Sequence, residues 1–218
     1  MFNDSGVRTI SRGRGRSAAL CLLFFLSIFA SVFVSGCGAL KGPSGEDYFK
    51  VLDRWSRGQK VYQGLEARLY INATYKTADF RKAYTQRYAG SYELGPDHLK
   101  ALTEREAEQA EAYNEFFFTA YTPDETLNDF DRSDSVWQLY IEDPAGNRAR
   151  PISIAAVDGS EPVIREFFPY FDLWSKAYSV KFPKYAENGG EINPEKGPVK
   201  LIVTGVMGKG ELEWGSGK

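Results

Sequence analysis

Carboxylates spaced two residues apart are what a calcium loop, or a pair of acid–base catalysts, would need. The best such candidate is Asp129, Asp131 and Asp134 within NDFDRSD. It opens as a calcium loop does, with Asp129, Asp131 and Ser133 at alternate positions, and then departs. Asp134 stands where glycine is required, and Tyr140 where the closing glutamate belongs. The expectation is a solvated loop whose Asp and Asn side chains bond their own backbone, with no metal. The competing reading is a hydrolase with two of these carboxyls facing one cleft and aromatic rings beside them as a sugar platform.

Other chemistry is sparse. The single histidine, His98 in GPDHLK, has no cysteine or acidic pair at metal spacing, so it reads as a solvent-facing residue at a helix start. No GxSxG elbow is present to offer a nucleophilic serine. The glycines of GVMGKGE lack Walker spacing and lead into strand-like ELEW; Gly208-Lys209-Gly210 is expected to turn a hairpin. The segment FFPYFDLW offers Phe168, Tyr170, Phe171 and Trp174. If exposed, these rings would stack on a sugar, grip a peptide or dip into a bilayer interface; the plainer reading is that they cap the core while Pro169 turns the chain. The sum is a non-catalytic binding or assembly module with no cofactor.

The first 36 residues are of another kind. A basic region, VRTISRGRGRS, precedes a 17-residue apolar run, AALCLLFFLSIFASVFV, and small residues at Ser35 and Gly36. That is the layout of a secretory signal. Val34-Ser35-Gly36-Cys37 resembles the lipobox of bacterial lipoproteins. The resemblance implies cleavage between Gly36 and Cys37, diacylglycerol on the Cys37 thiol, and a membrane anchor of two or three acyl chains, which exceeds the marginal hold of one chain. Cys21 would leave with the signal, so the mature chain would keep no thiol for disulfides, zinc or nucleophilic catalysis. Gly38 follows where some bacteria read aspartate as inner-membrane retention; by that analogy the protein faces the periplasm from the outer membrane, and an envelope protein is the remaining class of partner. A secretion or transport accessory that grips its partner by a strand edge is one version of this.

Setting aside four arginines and one aspartate in that segment leaves 23 basic and 28 acidic residues, a net charge of −5. Nucleic-acid binding depends on Lys and Arg neutralising phosphates, so this balance argues against it.

The elements that must hold these residues are mainly β. Residues 37–45 read as a tether and 46–218 as one domain, 15% of the whole chain being aromatic. DYFKVLDRWSR places Phe49, Leu52 and Trp55 on one helical face; LEARLYINATY alternates as a half-buried strand from Leu65 to Ala73. A helical insertion follows over about 78–112, first with Thr77 as cap and Phe80, Tyr84 and Tyr88 every four residues, then from Pro96 along a weakly apolar surface helix. Beyond Tyr113 come short strands: NEFFFTAY, SVWQLYIE, RARPISIAAV, PVIREFF, SKAYSVKF, VKLIVTG and ELEW, with a turn at Asp143-Pro144-Ala145-Gly146-Asn147. This pattern predicts an antiparallel β-sandwich resembling immunoglobulin-like domains in architecture only, since no Cys-Trp-Cys pattern is present.

Overall fold

The computed structural model describes residues 47–215; the lipobox and tether lie outside the described residues. Asp47 caps the first helix, α1 (Tyr48–Trp55), accepting from the amide of Phe49. Its buried face is Tyr48, Val51 and Leu52, with Trp55 half-buried. Leu52 and Trp55 lie on this face as expected, but the ring that joins them is Tyr48 and not Phe49, which is 41% exposed and lies under the Arg87 guanidinium.

Two antiparallel sheets follow. The first has the order β1-β2-β3-β7-β6, from β1 (Ser56–Gln63), β2 (Glu66–Tyr75), β3 (Tyr113–Tyr121), β7 (Lys176–Pro183) and β6 (Ser153–Val157). The second has the order β5-β4-β8-β9, from β5 (Arg148–Ala149), β4 (Trp137–Glu142), β8 (Val199–Gly205) and β9 (Gly208–Trp214). Alternation places Leu69, Ile71, Phe116, Phe118, Tyr178 and Val180 of the first sheet against Trp137, Leu139, Ile141, Leu201, Val203 and Leu212 of the second, forming one apolar core. The chain is thus mainly β, a sandwich with inserted helices.

The helices build a second core on the outer face of the first sheet. α2 (Ala78–Ser91), capped by Thr77 as expected, buries Phe80. Together with α1 and α4 (Pro162–Phe167) it covers Phe117 and Ala177, so the middle ring of Phe116-Phe117-Phe118 faces helices and the outer two face the sandwich. α3 (Pro96–Ala112) buries none of its residues, as its weak stripe predicts. Polar contacts tie it down: Arg81 to Glu106 and Lys181 to Gln109.

Four strand expectations change. SRGQKVYQ, lacking apolar alternation, is nevertheless strand β1, because the neighbouring β2 supplies its pairing. The β1–β2 register slips at Val61/Tyr62, leaving Arg68 as the extra residue; the inward run therefore starts at Leu69, and Leu65 is left in the turn. PVIREFF is helical: Pro162 at the first turn favours a helix start, and Phe167 turns onto the second core with Val163 and Ile164 packed beside it. RARPISIAAV divides at Arg150-Pro151 between the two sheets, so Ile152, Ile154 and Ala156 do not share a buried face: Ile152 is 59% exposed, and Ala156 is exposed too.

The turns are closer to expectation. Asp143 accepts from the amides of Ala145 and Asn147 and from the Asn147 side chain, while Gly146 takes φ +85°. The β8–β9 hairpin turns at Val206-Met207, two residues before the expected site, and Lys209 and Gly210 already belong to β9.

Candidate binding surface

The residues singled out for chemistry are dispersed. In the loop after β3, Asp129 accepts from Ser135 Oγ at 2.8 Å and Asp134 is bound by Arg132 at 3.0 and 3.1 Å, while Asp131 is exposed. Among the described residues no group of three His, Cys, Asp or Glu side chains is placed to hold a metal ion. His98 is exposed near the start of α3.

The aromatic segment divides in two. Phe168 stacks on Phe117 with centroids 3.9 Å apart, Phe171 is buried, and Tyr170 shares a 2.7 Å hydrogen bond with Thr74 Oγ1. Burial pushes the Tyr170 phenol well above its ordinary pKa. These three rings are core. Leu173 and Trp174 are not: they are 76% and 75% exposed.

A buried charge cluster lies beneath α2 and α3. Glu115 takes Lys76 on one carboxylate oxygen and Arg81 on the other, both at 2.7 Å, and Ser179 adds a 3.1 Å bond. Burial works against the charged carboxylate, but the two cations prevail and hold its pKa down at about 2. Arg81 is further engaged by Glu106 and the Lys76 carbonyl. With its charges paired, the cluster is a clamp between the helices and the sheet.

A more open arrangement lies where the two sheets meet along their flanks. On one flank β1 sits against β9 and the seam is closed. Arg57 Nε donates to the Glu213 carbonyl at 3.0 Å, the Glu211 amide donates to Gln59 Oε1, and Trp214 Nε1 donates to the Trp55 carbonyl at 2.7 Å. Gly208 and Gly210 let the Val61 side chain approach closely; a Cβ on Gly208 would stand 2.8 Å from Val61 Cγ1.

On the other flank β6 is the edge of its sheet, paired with β7 alone. Ser153, Ala155 and Ala156 are exposed. Between Arg150 and Asp158 runs PISIAAV, seven residues without a charge. Edge strands usually carry charges, prolines or bulges that prevent pairing with a foreign strand; here Pro151 guards only the entrance. Beside the edge lies a cleft of about 200 Å³ between the sheets, lined among others by Phe130, Gln138, Tyr140, Arg150 and Ile154, and by no carboxylate. Arg148 and Arg150 stand 5.8 and 5.7 Å from the centre of the Tyr140 ring. This edge and cleft offer unpaired backbone groups, a wall of mixed aromatic and polar side chains and the Arg150 cation to an extended chain, while Arg148 is held by Glu142 at 2.8 Å. The edge's uncharged run is no signal by itself, since residues 69–75, 116–123, 135–141 and 201–208 are uncharged runs at least as long, on or beside the interior strands β2, β3, β4 and β8.

No known protein family matches the chain, and no curated protein or solved structure matches it. Among the described residues no helix is long and apolar enough to cross a membrane.

Proposed function

We propose that the protein is a cell-envelope lipoprotein, cleaved between Gly36 and Cys37 and held by lipid on Cys37, whose domain works as a non-catalytic module that binds an extended segment of a partner protein along β6. The reading places it on the periplasmic face of the outer membrane, where an assembly, secretion or transport partner would supply the segment. The observation that carries it is the uncharged open edge of β6 beside a cleft of about 200 Å³. A strand added there would satisfy its backbone on β6 and lay alternate side chains toward Tyr140 and Ile154. The cleft's lack of carboxylates favours binding over the hydrolase reading.

Two experiments separate the parts. Cys37→Ala is expected to abolish lipid labelling and processing; unchanged labelling would refute the anchor. For the edge, Ala155→Lys puts a charge on an exposed position of β6. Partner recovered by crosslinking from membranes is expected to be lost in Ala155→Lys and retained in Ala155→Ser. Equal recovery would refute the edge as the contact.

A further inference from the structure

The four most exposed large apolar side chains among the described residues are Leu65, Val206, Leu173 and Trp174, at 101%, 87%, 76% and 75%. They sit on three different loops, and the strand registers bring all three to one end of the sandwich. Tyr70 of β2 pairs with Tyr121, so the β1–β2 turn bearing Leu65 overhangs the C-terminal end of β3. Ala120 of β3 pairs with Lys176, which puts Leu173 and Trp174, just before β7, at that same end. The second sheet follows through the closed seam: Arg57 meets Glu213 and Val61 meets Gly208, so β9 runs antiparallel to β1 and Val206 lies toward Leu65.

A cleft of about 310 Å³ opens near these loops, with Arg68, Leu127 and Met207 in its wall, yet none of the four side chains lines it. They project as separate knobs from three loops, outside that cleft. A bilayer interface accepts separate knobs without shape complementarity, and tryptophan is favoured at headgroup depth. Chain length agrees. Cys37 lies ten residues before Asp47, a span of at most about 36 Å, comparable to the length of one strand of the sandwich. The charge at this end selects the lipid: Asp124, Asp158, Asp172 and Glu66 are exposed in and beside the loops around the knobs, against Lys176, Arg68 and Lys209, of which Arg68 is paired with Glu66 and Lys209 with Glu211.

We infer that this end of the sandwich rests on a zwitterionic bilayer, with Leu65, Leu173, Trp174 and Val206 entering the interface. The inference rests on the Cys37 anchor to bring the domain to the surface, and it leaves β6 free along the flank.

The test uses the lipidated protein reconstituted into phosphatidylcholine vesicles with brominated acyl chains, and reads the part of the tryptophan fluorescence that Trp174→Phe removes. That component is expected to be quenched at least twofold. Leu65→Ser combined with Val206→Ser is expected to halve the quenching, and replacing half the lipid with phosphatidylglycerol is expected to weaken it at low salt. Mass spectrometry of the same sample reads the anchor. Unquenched Trp174 on a protein whose Cys37 is lipidated would overturn the contact and leave the anchor standing. Unlipidated Cys37 would overturn both. Quenching as strong on the anionic vesicles would overturn the zwitterionic assignment.

Discussion

The two flanks of the sandwich solve the same problem differently. Each is a place where a sheet ends and backbone groups lose their ladder partners. At the β1/β9 flank, long polar side chains cross from one sheet to the backbone of the other, and glycines let Val61 fill the space between. At the β6 flank the exposed residues of the strand itself, Ser153, Ala155 and Ala156, are small and uncharged, and a cleft opens beside them. One flank is sealed by contacts between the sheets and the other is open, as the proposed binding requires. A substitution should therefore cost folding on the first and binding on the second.

The largest folding effect is expected from Trp214→Ala. The ring is fully buried against Tyr75 and Phe116, and its indole bond to the Trp55 carbonyl ties α1 to the closed seam. Its loss should cost about 4 kcal/mol, measured by urea unfolding.

Next is the charge clamp, which lies outside both seams and tests whether they are independent of it. Because the pKa of Glu115 is held near 2 in the fold, below its ordinary value of 4.5, its contribution is full above pH 4.5 and disappears as pH falls through about 2. Glu115→Gln leaves two cations short of a partner and should cost about 3 kcal/mol at neutral pH, while flattening the acid dependence between pH 4.5 and 2. Circular dichroism against pH and urea checks both. The same profile in wild type and variant would contradict the clamp.

Gln59→Ala removes one cross-seam bond and should cost about 1 kcal/mol by the same unfolding assay. Ala155→Lys, on an exposed position of the open edge, should change stability by less than about 0.5 kcal/mol. If it destabilised as much as Gln59→Ala, β6 would have to be counted among the structural edges.

The contrast between the flanks explains what the sequence could reveal. Strands buried on the inner face declared themselves by alternation: Trp137, Leu139 and Ile141 are all buried, as are Tyr178, Val180 and Phe182. So did the cap at Thr77 and the turn at Asp143–Asn147, because their side chains act locally. Edges declare themselves poorly. SRGQKVYQ has no inward face of its own, and RARPISIAAV reads as a single strand until Pro151 is seen to pass the chain from one sheet to the other. Register was equally hidden, since β2 carries Arg68 as an extra residue with no register partner on β1, a bulge that alternation does not announce. The aromatic run was half legible: periodicity does not show that the chain leaves the core between Phe171 and Leu173. The proposed β6 site lies in what alternation does not encode, namely which edge is left uncovered.

The most direct test of that edge is a photo-crosslinking residue placed at Ala155 in the cell-borne protein, compared with one at Tyr62 on the closed flank, which is also exposed. An open edge predicts an adduct from position 155 whose peptide maps to one segment of one partner and which Ser153→Lys abolishes, with none from position 62. Adducts of equal yield from both positions, or none from position 155, would contradict it.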